Sequence, residues 1–246
     1  MYEAIKFRLS GKNGFFKKPD VNAVVYYTYN NIHKVALLGL LGAIIGLKGL
    51  HNYKLFEEEP REYPEYYEML QRLSVSIIPL APHGYFSKKI QYFNNSVGYA
   101  SKEAGGNLQV FEQWLEEPDW MIFLKNDGID DELWNKLIEN LTLEKCTYIP
   151  YLGKNDFPAT ILDAQIVQLQ PKQADFIDSL FIGELDMLKD EDTKDDKAAF
   201  VFTEYSPTGM QPKYNFYTYS RTIYTNCMVE NAPDTFNFED LILAFN

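Results

Sequence analysis

At 246 residues, with 46% hydrophobic and 15% aromatic side chains, the chain is long enough to bury a sizeable core, which excludes wholesale disorder. Its formal charge of −12 argues at first against nucleic acid, because phosphates are bound by lysine and arginine that displace counterions. The charge is unevenly placed, with 13 Lys and Arg against 9 Asp and Glu in residues 1–110 and 10 against 26 in residues 111–246. A basic N-terminal face for phosphates is therefore compatible with an acidic remainder that meets solvent or a basic protein partner.

Residues 3–10, EAIKFRLS, alternate a largely apolar face (Ile5, Phe7, Leu9) with a polar one and predict a first strand. A loop follows over 11–19, GKNGFFKKP, and then a short aromatic stretch over 24–29. Asn30 and Asn31 offer an N-cap for a helix over about 33–47. Its apolar run, 35–47, spans roughly 20 Å as a helix, short of the ~30 Å hydrocarbon layer, so no membrane span is expected there. The start of the chain, MYEAIKFRLS, lacks the apolar run of a secretory signal. Cys146 and Cys227 form neither a metal-ligand spacing nor a disulfide framework, so two free thiols in the cytoplasm are expected.

Residues 52–73, interrupted by Pro60 and Pro64, read as turns and a short helix. Residues 74–80, SVSIIPL, predict a strand near a sheet edge because Pro79 cannot donate to a ladder. The polar, aromatic-spaced stretch 82–109 suits a projecting hairpin. A buried strand is expected over 120–124 and an amphipathic helix over 128–141, opened by Asp130 or Asp131 and carrying Leu133, Trp134, Leu137, Ile138 and Leu141. Extended segments are expected over 148–152 and 159–169. This order predicts an α+β unit of the RRM-like or ferredoxin-like kind over 1–168. Past a charged segment, 189–197, strand character returns over 199–205 and 214–229, so 169–246 reads as an acidic, β-rich C-terminal extension.

Gly39, Gly42, Gly46 and Gly49 align along one helical face. Each glycine costs about 1 kcal/mol of helix stability relative to alanine, so something approaches that backbone closely. Either the helix packs tightly on the sheet, or a ribose-phosphate chain or neighbouring subunit lies there. Lys34 and Lys48 bracket the block KVALLGLLGAIIGLKG, about four turns apart.

This block resembles the first helix of the fifth family of CRISPR-associated (Cas) proteins, RAMP-type subunits of type I Cascade. Residues 151–158, YLGKNDFP, are similar to that family's YLG-K/R-x-x-F/C-P element, and 113–120, QWLEEPDW, to its leucine-x-x-proline-aromatic approach to the next strand. The three blocks occur in the family's order, and the hairpin segment looks closest to type I-B members. The resemblance implies an RRM-like body with a projecting β-hairpin thumb, about 82–110. It implies a non-catalytic subunit that holds the 5′ handle of the guide RNA, caps the complex, and touches the Cascade large and backbone subunits. Target DNA is then met only indirectly, and no cofactor is expected.

Single-stranded RNA is bound by cations for phosphates, aromatics for unstacked bases, and amides or hydroxyls for base edges and 2′-OH groups. The thumb offers Lys88 and Lys89, Tyr92, and Asn94, Asn95 and Ser96; an ordinary solvated loop is the plain alternative. Lys17 and Lys18 follow Phe15 and Phe16, so they combine pairing with stacking or are plain surface charges. Lys154 sits in the YLGK turn, which either offers backbone N–H groups and a cation to one phosphate or is purely structural. Lys34 and Lys48 complete the candidate RNA contacts.

One branch of the same family, in type I-C systems, cleaves precursor RNA with Tyr, Lys and His side chains. Of the three histidines, His33, His51 and His83, the first allows an alternative set of Tyr26, His33 and Lys34 for metal-free repeat-RNA cleavage. Against it, Lys88 and Lys89 have no adjacent histidine. No metal-ligand spacing recurs, and the acidic runs at 57–59 and near 190 read as solvated faces. An RRM-like protein-interaction module without an RNA role is the third reading.

Overall fold

The computed structural model describes residues 1–20, 24–49, 61–94, 96, 98–99, 102–104 and 106–246; His51, Glu57 to Glu59 and Asn95 lie outside them. Strand β1 (Tyr2–Ser10) sits inside a six-stranded sheet. It pairs antiparallel with β6 (Asp119–Asn126) on one side and β7 (Thr160–Pro171) on the other. Beyond β6 lies β3 (Leu73–Pro79), and beyond β7 lie β13 (Thr235–Phe238) and β14 (Leu241–Ala244), giving the order β14-β13-β7-β1-β6-β3. Alternation decides which face each residue serves. Ile5, Phe7, Leu9, Ile122 and Leu124 enter the main core under the helices, while Ala4 and Phe123 join a second cluster with Val167, Leu169 and Leu243.

As Pro79 implied, β3 ends the sheet order. Its outer side is covered by single chain contacts: the Leu180 N–H donates to the Ile77 carbonyl at 2.8 Å, and Val75 exchanges backbone bonds of 3.1 and 3.0 Å with Asn246. These contacts occupy backbone groups that would otherwise invite another strand.

Helix α1 (Lys34–Ile45) connects β1 toward β3, α2 (Glu65–Leu70) precedes β3, and α3 (Asp131–Thr142) connects β6 to β7. Asp130 caps α3 as expected, accepting from the Glu132 and Leu133 N–H groups at 2.9 and 3.3 Å. The cap of α1 is a correction: His33 performs it, its Nδ1 accepting from the Ala36 N–H at 3.2 Å. Asn30 and Asn31 are instead buried in the connection, both donating to the Gly84 carbonyl, with Asn31 Oδ1 accepting from Trp120 Nε1 at 2.9 Å. The helix stops at Gly46, whose φ of 84° is left-handed and whose N–H returns to Ala43.

The sequence of α1 is apolar on every side, and a helix of that kind has to be covered on every side. Leu37, Leu41 and Ile44 join the core cluster that also holds Ile5, Phe7 and Leu9 of the sheet. Tyr66 of α2 lies over the glycines, since a Cβ on Gly42 would come 2.6 Å from Tyr66 Cβ and one on Gly39 would meet the ring at 3.6 Å. Gly39 and Gly42 therefore serve helix-to-helix packing with α2, rather than the helix-to-sheet packing that the stripe invited, while Gly46 ends the helix against Thr147 and Gly49 lies beyond it. No described helix is long and apolar enough to cross a membrane.

Two further corrections concern extended segments. Residues 148–152 form no strand and make a single bridge, Tyr151 to Pro158. The hairpin is longer than expected, because β4 (Lys88–Asn94) pairs with β5 (Gln109–Glu116), which also pairs with β2 (Asn13–Gly14). Residues 169–246 are built into the body as well as appended to it. They supply β13 and β14, a three-stranded sheet of β8 (Phe181–Ile182), β10 (Val201–Met210) and β11 (Tyr217–Thr225), and the pair β9 (Leu188–Thr193) with β12 (Cys227–Val229). Strand β10 packs against α1, and the Met210 N–H donates to the Tyr67 hydroxyl at 3.0 Å.

Two stability experiments follow from α1. Gly42→Ala is expected to destabilise the protein by about 1–2 kcal/mol, because overpacking against Tyr66 exceeds the ~1 kcal/mol gain in helix propensity. Gly39→Ala, in ordinary contact at 3.6 Å, is expected to be neutral or stabilising, so denaturant titration should show a loss for Gly42→Ala and none for Gly39→Ala. The second concerns His33, whose imidazole burial pushes down to about 3, against about 6.5 in the unfolded chain. Between those values only the unfolded chain binds the proton, so stability falls as the pH drops below about 6.5, by up to about 1.4 kcal/mol per unit. His33→Asn keeps a cap acceptor and removes the titration; the acid limb of its stability curve should be flatter, and an unchanged limb would assign the slope elsewhere.

Candidate nucleic-acid interface

The first loop and the aromatic stretch run side by side. Lys17 bridges to Thr28, the Lys18 N–H donates to the Tyr27 carbonyl at 2.8 Å, and the Tyr29 N–H donates to Phe16 at 2.9 Å. At Tyr26 the same stretch joins the hairpin, since its N–H donates to Phe111 and its carbonyl accepts from Gln113, both at 2.9 Å. This pairing seats cations over rings. Lys17 Nζ lies 3.7 Å from the centre of the Tyr26 ring, Lys18 Nζ 5.0 Å from Tyr29, and Lys88 Nζ 4.5 Å from Tyr85.

One of these lysines pairs with a carboxylate from the acidic half. Glu204 of β10 accepts from Lys18 Nζ at 3.0 Å and from the Asn30 N–H at 2.9 Å. Burial pushes the Lys88 ammonium below its ordinary value, the positive charge of Lys18 adds to this, and Glu204 opposes it. Tyr29, packed beside them and bonded to Tyr219, has its phenol pushed up by burial first and by that bond second. It stays neutral at physiological pH.

The other candidates are placed differently. Lys154 is drawn inward: its Nζ bonds Glu112 at 2.7 Å and lies 5.2–6.0 Å from the ring centres of Phe93, Trp114, Phe15 and Phe157. In the turn that carries it, the Leu152 N–H donates to Phe157 at 2.8 Å and the Phe157 N–H to Lys154 at 2.9 Å. Its Gly153, at φ 83°, approaches the first loop so closely that a Cβ would fall 1.9 Å from the Phe15 carbonyl oxygen. Lys89 pairs with Glu116 at 3.6 Å, both half-exposed. Tyr92 is half-exposed with its ring centre 4.7 Å from that of Phe111. Asn94 donates to Asn107 Oδ1 at 3.4 Å and Ser96 Oγ accepts from the Leu108 N–H at 2.6 Å, both closing the hairpin.

Lys34 turns inward, its Nζ donating to the Asn246 carbonyl oxygen at 3.0 Å, and burial lowers its pKa. His33 is enclosed by Phe16, Tyr29 and Tyr217, with ring centres 6.2, 5.3 and 5.4 Å away. Tyr26, His33 and Lys34 therefore face three separate sets of partners. His83, at φ 56°, lies with its ring 4.7 Å from that of Phe200.

Beside this face runs a groove of ≈ 440 Å³, lined by α1, α2, β11 and the 148–153 turn. Gly39 lies in its wall, with Tyr66, Tyr148, Tyr151 and Tyr217 around it. The exposed Lys48 also lines it, and the backbone N–H of that lysine donates to Glu65 at 2.6 Å. Sequence reading named Lys48 and missed the tyrosines. Tyr66 and Tyr217 are separated by most of the chain, and only the fold brings them together.

No family model matches the chain, and no curated protein matches it in sequence. In fold it is similar to a chain of a CRISPR RNA-guided surveillance complex, with a TM-score of 0.54 at 12% identity over 92% of this chain and 90% of that one. A CRISPR protein from Archaeoglobus fulgidus is similar with a TM-score of 0.48 at 12% identity, over 98% and 97%. The first similarity, at 92% coverage, takes in most of residues 169–246. The chain is a strand-rich mixed α/β protein that shares the fold of that surveillance-complex chain.

Proposed function

We propose that this protein is a non-catalytic, RNA-binding Cascade subunit that holds the 5′ handle of a CRISPR guide RNA and caps the complex, in the manner of type I-B members. One observation carries the reading. Lys17, Lys18 and Lys88 each sit over a tyrosine where the first loop, the hairpin base and β10 meet, which joins phosphate-binding charge to base-stacking surface. The strand order β7-β1-β6-β3, with helices crossing after β1 and β6, supports the RRM/ferredoxin-like reading of the body. The large and backbone subunits remain the proposed protein partners, with the acidic C-terminal residues facing them or the cytoplasm.

The non-catalytic part of the reading is supported by the commitments of the alternative set. A buried, neutral His33 whose Nδ1 caps a helix is poorly placed to take a proton from a ribose hydroxyl. Purified protein incubated with repeat RNA in chelator is therefore expected to retain the RNA intact at low salt and to join a guide-bound complex. Site-specific cleavage that disappears in His33→Ala would overturn this, and exclusion from the complex at every salt concentration would sink the reading as a whole.

The lysines separate by salt dependence. Lys18→Ala and Lys88→Ala should each lower the slope of log affinity against log salt by about 0.7, the value for one single-strand phosphate contact. Lys154→Ala should leave that slope unchanged and cost stability instead, roughly 1–3 kcal/mol, by stranding Glu112. Filter binding across salt, read beside thermal melts, tests both; equal slopes for all three variants would remove Lys18 and Lys88 from the interface.

A further inference from the structure

We propose that the outer edge of β4 is a strand-pairing surface whose occupant is β4 of a second copy of this chain, running antiparallel about a two-fold axis at Gln91.

The register of the hairpin leaves that edge open. The Glu116 N–H donates to the Ser87 carbonyl at 2.9 Å, so residues 87, 89, 91 and 93 turn their backbone groups toward β5. On the far side of β5, Phe111 and Gln113 are taken by Tyr26. Lys88, Ile90, Tyr92 and Asn94 therefore aim their backbone N–H and C=O groups away from the sheet, and nothing among the described residues bonds those groups. The edges of the six-stranded sheet are treated differently. Leu180 and Asn246 cover β3, and on β14 the Ile242 and Ala244 N–H groups donate to Asp178 Oδ2 and Ser179 Oγ, both at 2.9 Å. An edge left with unpaired groups is a template for another strand.

The pattern of the strand selects its occupant. A two-fold axis at Gln91 sets Lys88 opposite Asn94, Lys89 opposite Phe93 and Ile90 opposite Tyr92. Outward-facing residues then meet outward-facing ones, as a hydrogen-bonded ladder requires, and no like charges lie opposite each other. A parallel copy in register would put Lys88 on Lys88 and Lys89 on Lys89. Ile90 and Tyr92, 53% and 50% exposed on one face, become an aliphatic–aromatic cross-strand pair in each half of the contact. Both lysines are engaged within their own chain, Lys88 over Tyr85 and Lys89 with Glu116. The far side of β5 is taken by β2 and Tyr26, and the pairing uses up β4 in both copies, so the assembly closes at two. A seven-residue ladder is smaller than a standard interface of about 1,600 Å², so the dimer is reversible.

The test uses the intact chain without RNA, so its failure leaves the RNA-binding reading standing. In a Cys146→Ser background, which removes the exposed native thiol, Gln91→Cys places a thiol on the axis. Opposite residues of a non-hydrogen-bonded pair have Cα atoms about 4.5 Å apart, within the roughly 4.4–6.8 Å that a disulfide spans. Lys89→Cys, about 13 Å from its own counterpart in the second copy, is the control. With oxidised glutathione accepting the two electrons, Gln91→Cys is expected to link into a dimer roughly tenfold faster than Lys89→Cys. Sedimentation equilibrium of the unaltered chain from roughly 1 μM to 1 mM should show passage from one copy to two. Ile90→Pro deletes only an outward N–H and should remain a single copy throughout; Gln91→Lys, which sets two like charges on the axis, replaces it if the proline variant fails to fold. A single copy at every concentration, equal linking at both positions, or a dimer that survives these variants overturns the inference. So does an Ile90→Pro chain that matches the unaltered one in mass yet no longer joins a guide-bound complex, which would give the edge to a strand of another subunit.

Discussion

The structure depends on covering α1. A twelve-residue helix whose buried positions include Val35, Leu37, Leu38, Leu40, Leu41, Ile44 and Ile45 has no polar face to give to water. One sheet can cover only one side of it. Further sides are met by Tyr66 of α2, by α3, whose Asn140 donates to the Ile44 carbonyl at 3.0 Å, and by β10, while the groove runs along Ala36, Gly39 and Ala43. This requirement explains why strands more than 150 residues away pack against the helix. It also explains the glycines, since Gly42 leaves room for Tyr66 where a methyl group would collide.

The same packing creates the basic-aromatic face. Once β10 lies over α1, Glu204 reaches Lys18 and the Asn30 N–H, and β11 brings Tyr217 against His33 and Tyr219 against Tyr29. Counting charges along the chain separates a basic first half from an acidic second half. In space the two interleave, and an acidic residue from the second half holds a lysine of the first in place. Net charge is therefore a poor guide to where a basic face lies on this protein.

Features governed by local rules were legible in the sequence. Period-two alternation marked β1, the segments 74–80 and 120–124 read as strands where β3 and β6 lie, Asp130 announced the cap of α3, and Pro79 placed β3 at the end of the sheet. Features governed by contacts between distant segments were not. His33 is an unusual cap, and it takes that role because Asn30 and Asn31 are occupied by Gly84, Phe86 and Trp120. Residues 148–152 read as extended, yet the backbone there is used by the Gly153 turn against Phe15 and by α1, whose Ile44 and Ala43 carbonyls accept from Thr147 and Tyr148. Lys154 looked like a surface cation because nothing nearby in sequence marks Glu112 and four aromatic rings as its surroundings.

For the candidate interface this difference has a chemical consequence. Lysines named from sequence divide in space into those held beside tyrosine faces near the surface and those whose charge is consumed inside. Lys34 donates to the Asn246 carbonyl and Lys154 to Glu112, so a phosphate would have to displace a bond already made. Lys17, seated over the Tyr26 ring, keeps its donors available to a phosphate while the ring stays half-exposed beside it. A strand lying there can exchange the lysine's hydration for phosphate contact and the ring's hydration for a base without breaking an internal ion pair. That economy distinguishes Lys17 from Lys18, which Glu204 already pairs, and from Lys34 and Lys154.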